Sequence, residues 1–176
     1  MRKKIYVLGS LRNPNVPQVA EALRKLGFNV FDDWYAAGPE ADDYWQKYEE
    51  SRGTPYNKAL HGLAANHVFH FDAHHLDSSD IGVLVLPAGK SAHLELGWLI
   101  GQGKPGYILF PDGEWPERWD VMYRFATGVF NNFDALREAL PALLPAPSPE
   151  SFARVKAINS LIGQVDLAIL RKIELP

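Results

Sequence analysis

The 176-residue sequence contains no cysteine. This absence excludes disulfide bonds, thiolate catalysis and zinc sites built on sulfur, and it is typical of a reducing compartment, so we expect a cytoplasmic protein. The chain also lacks any apolar stretch that approaches the ~20 residues needed to span a bilayer. A short apolar run follows Met1-Arg-Lys-Lys where a signal peptide would have a long one, so we expect neither secretion nor a membrane partner.

The chain also lacks a basic run, and its net charge is −3. A nucleic-acid polymer is therefore not an expected partner, although isolated nucleosides and nucleotides remain possible ligands. A chain of this length is long enough for one domain with a substantial core and too short for two ordinary domains.

Alternating strand and helix patterns predict an α/β sandwich with four or five mostly parallel strands. The predicted strands are Ile5 to Leu8, Val30-Phe31, Ile81 to Leu86, Tyr107 to Phe110 and Gly128 to Phe130. The predicted helices cover residues 16–26, 42–50, 56–77, 91–101, 119–126 and 133–144. The first strand, helix and strand form a β-α-β unit, whose crossover should be right-handed.

The end of the chain differs in composition from the rest. The proline-rich segment 145–149 predicts a linker, and residues 151–173 predict an amphipathic helix with an apolar face. We therefore expect a domain of residues 1–144, followed by a linker and C-terminal helix in residues 145–176. Packing of that helix on its own domain and packing on a partner subunit are both open.

Within the domain, Glu95 is a carboxylate with no evident structural role. The apolar run from Ile81 to Leu86 predicts a strand covered on both faces, and Pro87-Ala88-Gly89 ends it. Ser91 can cap the following helix, which places Glu95 about one turn into that helix, beside the carboxyl edge of the sheet. Because ligands bind at that edge in open α/β sheets, we predict a functional site at Glu95.

Glu95 has a plain alternative interpretation, since a glutamate in the first turns of a helix also stabilises the helix dipole. The residues around Glu95 favour a catalytic role over this structural one. Asp72, Asp77 and Asp80 precede it, and Gly89-Lys90-Ser91 offers backbone N–H groups at a helix start, where an anion or hydroxyl can be held. A carboxylate nucleophile paired with a second carboxyl acid can break a glycosidic bond with retention of configuration.

Several motifs in order carry a family resemblance: Tyr6-Val-Leu-Gly-Ser-Leu-Arg12, Asp72 eight residues before Asp80, the apolar strand, Leu94-Glu95-Leu-Gly97, and Gly103-Lys-Pro105. This set resembles the nucleoside 2-deoxyribosyltransferase family and the related 2′-deoxynucleoside 5′-phosphate N-hydrolases over about residues 4 to 130. The resemblance implies a flavodoxin-like three-layer fold and an enzyme that attacks the anomeric carbon of a deoxyribose. It implies no cofactor and no metal.

The resemblance also assigns roles to individual residues. It implies that Glu95 is the nucleophile, that Asp72 protonates the departing nucleobase, and that Tyr6 orients the nucleophile. Asp120 and Met122 correspond to a segment with which a neighbouring subunit reaches into the active site. This correspondence implies a homo-oligomer, a dimer or larger, with shared active sites.

Two positions depart from the family pattern. The transferases carry an aspartate six residues before the nucleophile, where this chain has Gly89, and relatives tend to have glycine where this chain has His93. We expect Ser91 to replace the missing contact to the sugar hydroxyls. Asp120 stands where the transferases have asparagine and the nucleotide hydrolases serine. A carboxylate there accepts from a 5′-hydroxyl but repels a 5′-phosphate, which favours a nucleoside.

Other residues leave the substrate open. Arg12 and Lys90 could neutralise a phosphate, and the turn that starts with Gly9-Ser10 resembles a phosphate cradle without the full dinucleotide motif. A polar insert, residues 32–54, carries aromatic side chains that are either core residues or a stacking surface for a nucleobase backed by Asp33. These aromatic residues are Trp34, Tyr35, Tyr44, Trp45 and Tyr48.

A histidine-rich segment near Asp72 suggests a metal site as an alternative, because histidines and carboxylates at short spacing can bind zinc. The residues are His67, His70, His74 and His75. The plain interpretation is that they lie on a helix surface or cap it, and we expect no metal.

The sequence thus predicts an enzyme that cleaves the N-glycosidic bond of a (2′-deoxy)nucleoside through a glycosyl ester of Glu95, with transfer to another nucleobase or to water. One alternative is an N-glycoside hydrolase of a 5′-nucleotide or of NAD. Another is a non-catalytic nucleoside or nucleotide sensor that uses the same pocket.

Overall fold

The computed structural model describes residues 2–140, which form a five-stranded parallel sheet covered by helices on both faces. The strands are β1 (Lys4–Leu8), β2 (Asn29–Phe31), β3 (Ile81–Val85), β4 (Gly106–Leu109) and β5 (Gly128–Phe130), in the order β2-β1-β3-β4-β5. The predicted flavodoxin-like α/β fold is confirmed. Every strand pair in this sheet is parallel, whereas the sequence predicted a mostly parallel sheet.

Six α-helices connect and cover the strands within the described residues. They are α1 (Asn15–Lys25), α2 (Ala41–Ser51), α3 (Tyr56–Ala59), α4 (Leu63–Asp77), α5 (Lys90–Gly101) and α6 (Phe133–Ala139). Two 3₁₀ turns cover Asp33–Ala37 and Val121–Phe125. No helix in residues 2–140 is long and apolar enough to cross a membrane.

Alternation along β1 separates the two cores. Ile5 and Val7 pack with α1 and α6 on one face of the sheet, while Tyr6 and Leu8 pack with α4 and α5 on the other. Each strand side chain therefore reaches a helix layer. Every residue of β3 is buried, because this strand lies between β1 and β4 and is covered on both faces.

Helix α5 lies unusually close to the sheet at two glycines. A Cβ added to Gly82 of β3 would meet Leu99 Cδ1 at 2.6 Å, and one added to Gly106 of β4 would meet Leu96 Cδ1 at 2.8 Å. Both distances are shorter than any normal carbon contact, so the helix needs glycine beneath it. These glycines fix the depth at which α5 and its Glu95 side chain sit against the sheet.

Two predicted helices differ from the structure. The helix predicted over residues 56–77 is divided into α3 and α4, because Gly62 has an extended backbone and starts the second helix. Glycine is a poor helix residue, and here it breaks the pattern. The helix predicted over 119–126 is a short 3₁₀ turn with no buried residue, so it lacks the apolar face that would sustain an α-helix.

The remaining differences lie at element ends. Helix α5 begins at Lys90 with Gly89 as its N-cap, so the prediction that Ser91 caps the helix is wrong; Ser91 lies inside the first turn. Helix α6 ends at Ala139, short of the predicted Leu144. The predicted linker and C-terminal helix lie outside the described residues.

Candidate active site

Three predicted site residues come from separate elements on one face of the sheet. Tyr6 lies in β1 and is buried, Glu95 lies in the second turn of α5, and Asp72 lies in the middle of α4. Both carboxyl side chains are partly buried. Because the side chain of Tyr6 points toward the layer formed by α4 and α5, the fold brings a phenol and two carboxyl groups together.

Burial raises the pKa values of all three groups, and the charges of neighbouring carboxylates add to this effect for Glu95 and Tyr6. Burial, together with the negative charge of Asp72, raises the pKa of Glu95 to about 7. Burial raises the pKa of Asp72 to about 6. The pKa of the Tyr6 phenol lies well above its usual range, because burial and the charges of Glu95 and Asp72 all disfavour a phenolate. The Tyr6 hydroxyl is therefore a neutral hydrogen-bond donor at physiological pH.

One carboxylate oxygen in the site lacks a hydrogen-bond partner. Asp72 Oδ1 is buried and has no partner among the described residues. A buried polar atom without a partner costs about 1–3 kcal/mol, so it is rarely retained without a function. Its retention is explained if a ligand supplies or receives a proton at this oxygen.

The pair of carboxyl groups can hold one proton near neutral pH. With pKa values of about 6 for Asp72 and about 7 for Glu95, the pair is singly protonated between these values. The proton lies mainly on Glu95, which has the higher pKa, and the minor form with the proton on Asp72 supplies the carboxylate and the carboxylic acid that glycosidic bond cleavage requires. This charge state is the chemical basis of the site.

Hydrogen bonds from three side chains hold α4 beside α5. Trp98 Nε1 donates to Asp77 Oδ1 at 2.7 Å, and Gln102 Nε2 donates to the same oxygen at 2.8 Å. Lys104 Nζ donates to the Asp77 backbone carbonyl at 2.6 Å. The indole and amide bonds lower the pKa of Asp77, so it stays an anion and an acceptor. Asp77 thus fixes the helix of Asp72 relative to the helix of Glu95.

A buried asparagine that the sequence did not single out joins the loops after β1 and β3. The Asn13 side-chain amide donates to the carbonyl oxygens of Val85 and Pro87 at 3.2 and 3.1 Å, and its own carbonyl accepts from Asn15 N at 3.0 Å. The position of Asn13 in a polar turn directly after a strand was the sequence feature that could have identified it. Asn13 closes the crevice between β1 and β3, where the strand order reverses.

The predicted phosphate turn is shaped mainly by local packing. A Cβ at Gly9 would meet Val16 Cγ2 at 2.5 Å, so the glycine allows α1 to approach. Ser10 Oγ accepts from Arg12 N at 3.1 Å, inside the turn. The Arg12 guanidinium donates to Asp43 of α2 at 2.9 Å. Arg12 is therefore already paired with a carboxylate, which reduces its availability for a phosphate.

The aromatic residues of the insert do not form one continuous surface. Trp34 Nε1 donates to the Val7 carbonyl at 2.9 Å, and Trp34 and Tyr35 pack against the core. Tyr44 and Tyr48 are exposed. Asp33 is exposed and lies near enough to Lys4 for its charge to raise the Lys4 pKa, a smaller effect than the lowering by burial. Base recognition by this insert stays a prediction.

At the start of α5, Gly89, Lys90 and Ser91 are all exposed. A Cβ at Gly89 would have no atom within 4 Å, so the position is open. The Gly89 carbonyl lies 2.7 Å from His93 Nδ1, and His93 Nε2 lies 3.0 Å from the Tyr123 hydroxyl. The sequence marked His93 as a departure from the family pattern but gave no sign of its contact with Tyr123.

Asp120 and Met122 lie on the other side of α5 from Glu95. They line an open groove of about 500 Å³ together with His93, Gly97 and other residues of α5. At 100° per residue, His93 and Gly97 lie about 160° from Glu95 around the helix. Asp120 also caps the 121–125 turn, since its side chain accepts from Met122 N at 2.9 Å. Within one chain these two residues do not face Glu95.

A second cavity of about 380 Å³ lies at the carboxyl ends of β3 and β4. Its walls include His93, Phe110, Trp115 and Tyr123. Since His93 and Tyr123 border both cavities, their contact forms the partition between them.

The histidines of α4 do not gather around a metal position. His67, His70 and His74 are exposed, and the His75 ring stacks on Phe31 at 3.9 Å between centroids. In residues 2–140 no group of three or more histidine, aspartate or glutamate side chains is arranged to hold a metal ion.

Comparison with solved structures identifies a protein of the same fold. A 2-deoxyribosyltransferase from the psychrotolerant bacterium Bacillus psychrosaccharolyticus aligns with a TM-score of 0.53 and 22% sequence identity. The alignment covers 79% of this chain and 96% of that chain. No protein-family model and no curated protein matches the sequence. The likeness establishes a shared fold.

Proposed function

We propose that this protein cleaves the N-glycosidic bond of a 2′-deoxynucleoside through a covalent glycosyl ester of Glu95. The observation that carries the proposal is the partly buried pair of Glu95 and Asp72, in which burial raises the pKa values to about 7 and about 6, beside the neutral Tyr6 phenol. The fold shared with a 2-deoxyribosyltransferase supports the same reaction class.

In the first step a Glu95 carboxylate oxygen attacks C1′ of the sugar. The C1′–N bond breaks, its electron pair stays on the nucleobase nitrogen, and the proton of the Asp72 carboxylic acid moves to the base. The products are a neutral base, a deoxyribosyl ester of Glu95 and an Asp72 carboxylate. The Tyr6 hydroxyl would act as the hydrogen-bond donor that orients the Glu95 side chain.

In the second step a nitrogen of another nucleobase, or a water molecule, attacks C1′ and the Glu95 carboxylate leaves. Asp72 takes the proton that the attacking group loses, which restores the starting state. Two displacements at C1′ retain the β configuration of the nucleoside. Transfer and hydrolysis share the first step, and access of water to the ester decides between them.

The substrate class follows from the charges around the sugar. Asp120 would accept a hydrogen bond from a free 5′-hydroxyl but would repel a 5′-phosphate, and Arg12 is already paired with Asp43. Lys90 remains as an exposed cation at the start of α5, which keeps a 5′-nucleotide as the second candidate substrate. Gly89 and Ser91 would lie along the sugar hydroxyls.

We further propose that Asp120 and Met122 act on the Glu95 of a neighbouring subunit. They line the opposite side of α5 from their own Glu95, so a second copy must supply them if they contact the sugar. Exposed apolar side chains beside this groove are available for such an interface: Trp119, Val121, Met122 and Phe125.

The proposal is tested by chromatography of nucleoside mixtures. The protein is incubated with 2′-deoxynucleosides and a different free base, and in parallel with ribonucleosides, 2′-deoxynucleoside 5′-monophosphates and NAD. We expect a new deoxynucleoside or free deoxyribose from the first mixture, and none with Glu95→Gln. If only the monophosphate or only NAD were turned over, that compound, and not the nucleoside, would be the substrate. Binding without any turnover would identify a sensor and contradict the enzyme proposal.

A further inference from the structure

We propose that His93 is a positioning residue that, together with Tyr123, fixes the start of α5 in the orientation the sugar requires. The inference rests on the proposed function and extends it to a residue that the family pattern does not contain. Its basis is the pair of hydrogen bonds from one imidazole ring, 2.7 Å to the Gly89 carbonyl and 3.0 Å to the Tyr123 hydroxyl.

The first bond determines the tautomer of the ring. A backbone carbonyl can only accept, so His93 Nδ1 carries the proton and donates to Gly89 O. In the neutral ring Nε2 then has a lone pair and accepts from the Tyr123 hydroxyl. If the ring gains a proton, Nε2 donates and the tyrosine oxygen accepts. The contact therefore persists in either charge state of the imidazole.

The tyrosine end of this contact is anchored. The Tyr123 ring lies nearly parallel to the His93 ring at 5.8 Å and packs against Phe110 at 6.3 Å. Phe110 follows β4, and its backbone N–H donates to Phe130 O at 2.8 Å. Burial and the charge of Asp120 raise the pKa of Tyr123, so its hydroxyl stays protonated. The ring pair is thus tied to the sheet edge.

Within residues 2–140, the glycine end has no side-chain support besides His93, since the N-cap carbonyl otherwise accepts only the first backbone bond of the helix. Gly89 is exposed, has no side chain, and has no atom near its Cβ position, and α5 receives no side-chain cap there. The orientation of its peptide group sets the direction of the first free N–H groups of α5, at Lys90 and Ser91. His93 supplies from within the helix the restraint that Gly89 lacks.

The same contact links two parts of the proposed assembly. Tyr123 lies within the 121–125 turn, next to Met122, while Gly89 lies in the loop that leads to Glu95. His93 therefore connects two segments of one subunit. One is the loop that precedes its own Glu95, and the other is the 121–125 turn, which would contact the active site of the neighbouring subunit. Loss of this restraint should reduce binding of the transition state more than it reduces the stability of the fold, since the hydrophobic core does not depend on this contact.

The test combines His93→Gly, Tyr123→Phe and the double variant with Tyr56→Phe as the control. Tyr56 is an exposed tyrosine on α3, a helix that carries none of the proposed catalytic residues. We expect each site variant to lower kcat by about 5- to 20-fold with a smaller change in KM, and the double variant to lose no more than His93→Gly alone. Added imidazole should partly restore His93→Gly and leave the wild type unchanged. Tyr56→Phe should retain wild-type kcat.

A spectroscopic readout keeps this inference separate from the proposed function. ¹⁵N NMR of the wild-type imidazole at high pH should show His93 with its proton on Nδ1, and Tyr123→Phe should change the Nε2 shift. A proton on Nε2, or additive losses in the double variant with no rescue by imidazole, would overturn the positioning role. If the wild type forms no glycosyl adduct, the proposed function fails while the NMR result still decides the contact.

Discussion

The shared protonation of Glu95 and Asp72 is the central property at the scale of single residues. Glu95 must be ionised to attack, so activity falls when the pair gains a second proton, below about pH 6. Asp72 must be protonated to release the base, so activity falls when the pair loses its last proton, above about pH 7. The two groups titrate as a pair, and the reactive form is a fraction of the singly protonated state.

We therefore predict a bell-shaped dependence of kcat/KM on pH, with its maximum between about 6 and 7. In Asp72→Asn the alkaline limb should disappear, because the ionisation of Glu95 alone then controls the profile. The profile is measured from initial rates with a deoxynucleoside. An alkaline limb that persists in Asp72→Asn would contradict the role of Asp72 as the acid.

The raised pKa of Glu95 also predicts a stability effect. Its folded pKa lies above the unfolded value, so the folded state binds more protons and the free energy of unfolding falls as the pH rises through about 4 to 7. Glu95→Gln removes the buried charge. We expect it to unfold with about 2 kcal/mol more free energy than wild type near pH 8, and with little difference near pH 4.

Chemical denaturation at the two pH values measures this difference. Glu138→Gln, a change in helix α6, is the matched control, because its side chain is exposed. It should shift the unfolding free energy by less than about 0.5 kcal/mol at either pH. A Glu95→Gln variant that is less stable than wild type at alkaline pH would indicate that the carboxylate has a structural partner.

At the scale of elements, the depth of α5 against the sheet positions the nucleophile. Gly82→Ala and Gly106→Ala each place a methyl group within about 3 Å of Leu99, Leu96 or Ile100 side chains. We expect each to destabilise the fold by about 1–3 kcal/mol through overpacking, and to lower kcat as α5 is displaced.

Gly101→Ala is the control for this prediction, because no atom lies within 4 Å of its Cβ position at the end of the same helix. Thermal unfolding and kcat are measured for all three variants. Full activity in Gly82→Ala and Gly106→Ala, with only a loss of stability, would show that the site tolerates movement of α5.

A helix or strand could be predicted from the sequence where its pattern of apolar residues has only one structural explanation. The buried run of β3 and the β-α-β start identified the sheet, because continuous apolar strands have few alternatives. The break at Gly62 was not predicted, since the apolar spacing before and after it continues in phase. The cap at Gly89 was also missed, because a side-chain capping rule favours Ser91 although the helix begins at Lys90, so that its N-cap lies two residues before Ser91.

At the scale of the whole molecule, the site was predictable only in part. Glu95 could be placed beside the carboxyl edge of the sheet from the strand and turn that precede it, whereas Tyr6 and Asp72 were singled out through the family resemblance. The Asp77 contacts that align α4 with α5, the Asn13 bridge and the His93–Tyr123 contact join residues that are distant in sequence. Such contacts depend on side-chain geometry that no local pattern records.

Shared active sites predict complementation between inactive variants. Glu95→Gln and Asp120→Ala should each be nearly inactive, while a mixture in which subunits exchange should regain about a quarter of wild-type activity for a dimer. Asp120→Asn is the control, since it keeps both the cap of the 121–125 turn and a 5′-hydroxyl contact. A mixture that stays inactive after verified exchange would place Asp120 outside the neighbour's site.

The central claim is that Glu95 carries the sugar during the reaction, and intact-protein mass spectrometry tests it most directly. The protein is incubated with a 2′-deoxynucleoside without acceptor base, quenched in acid, and digested to locate any adduct. We predict a mass increase of one deoxyribosyl group on the peptide that contains Glu95, absent in Glu95→Gln and removed by adding a free nucleobase. Turnover of the nucleoside with no adduct, or with the sugar on another residue, would contradict the account.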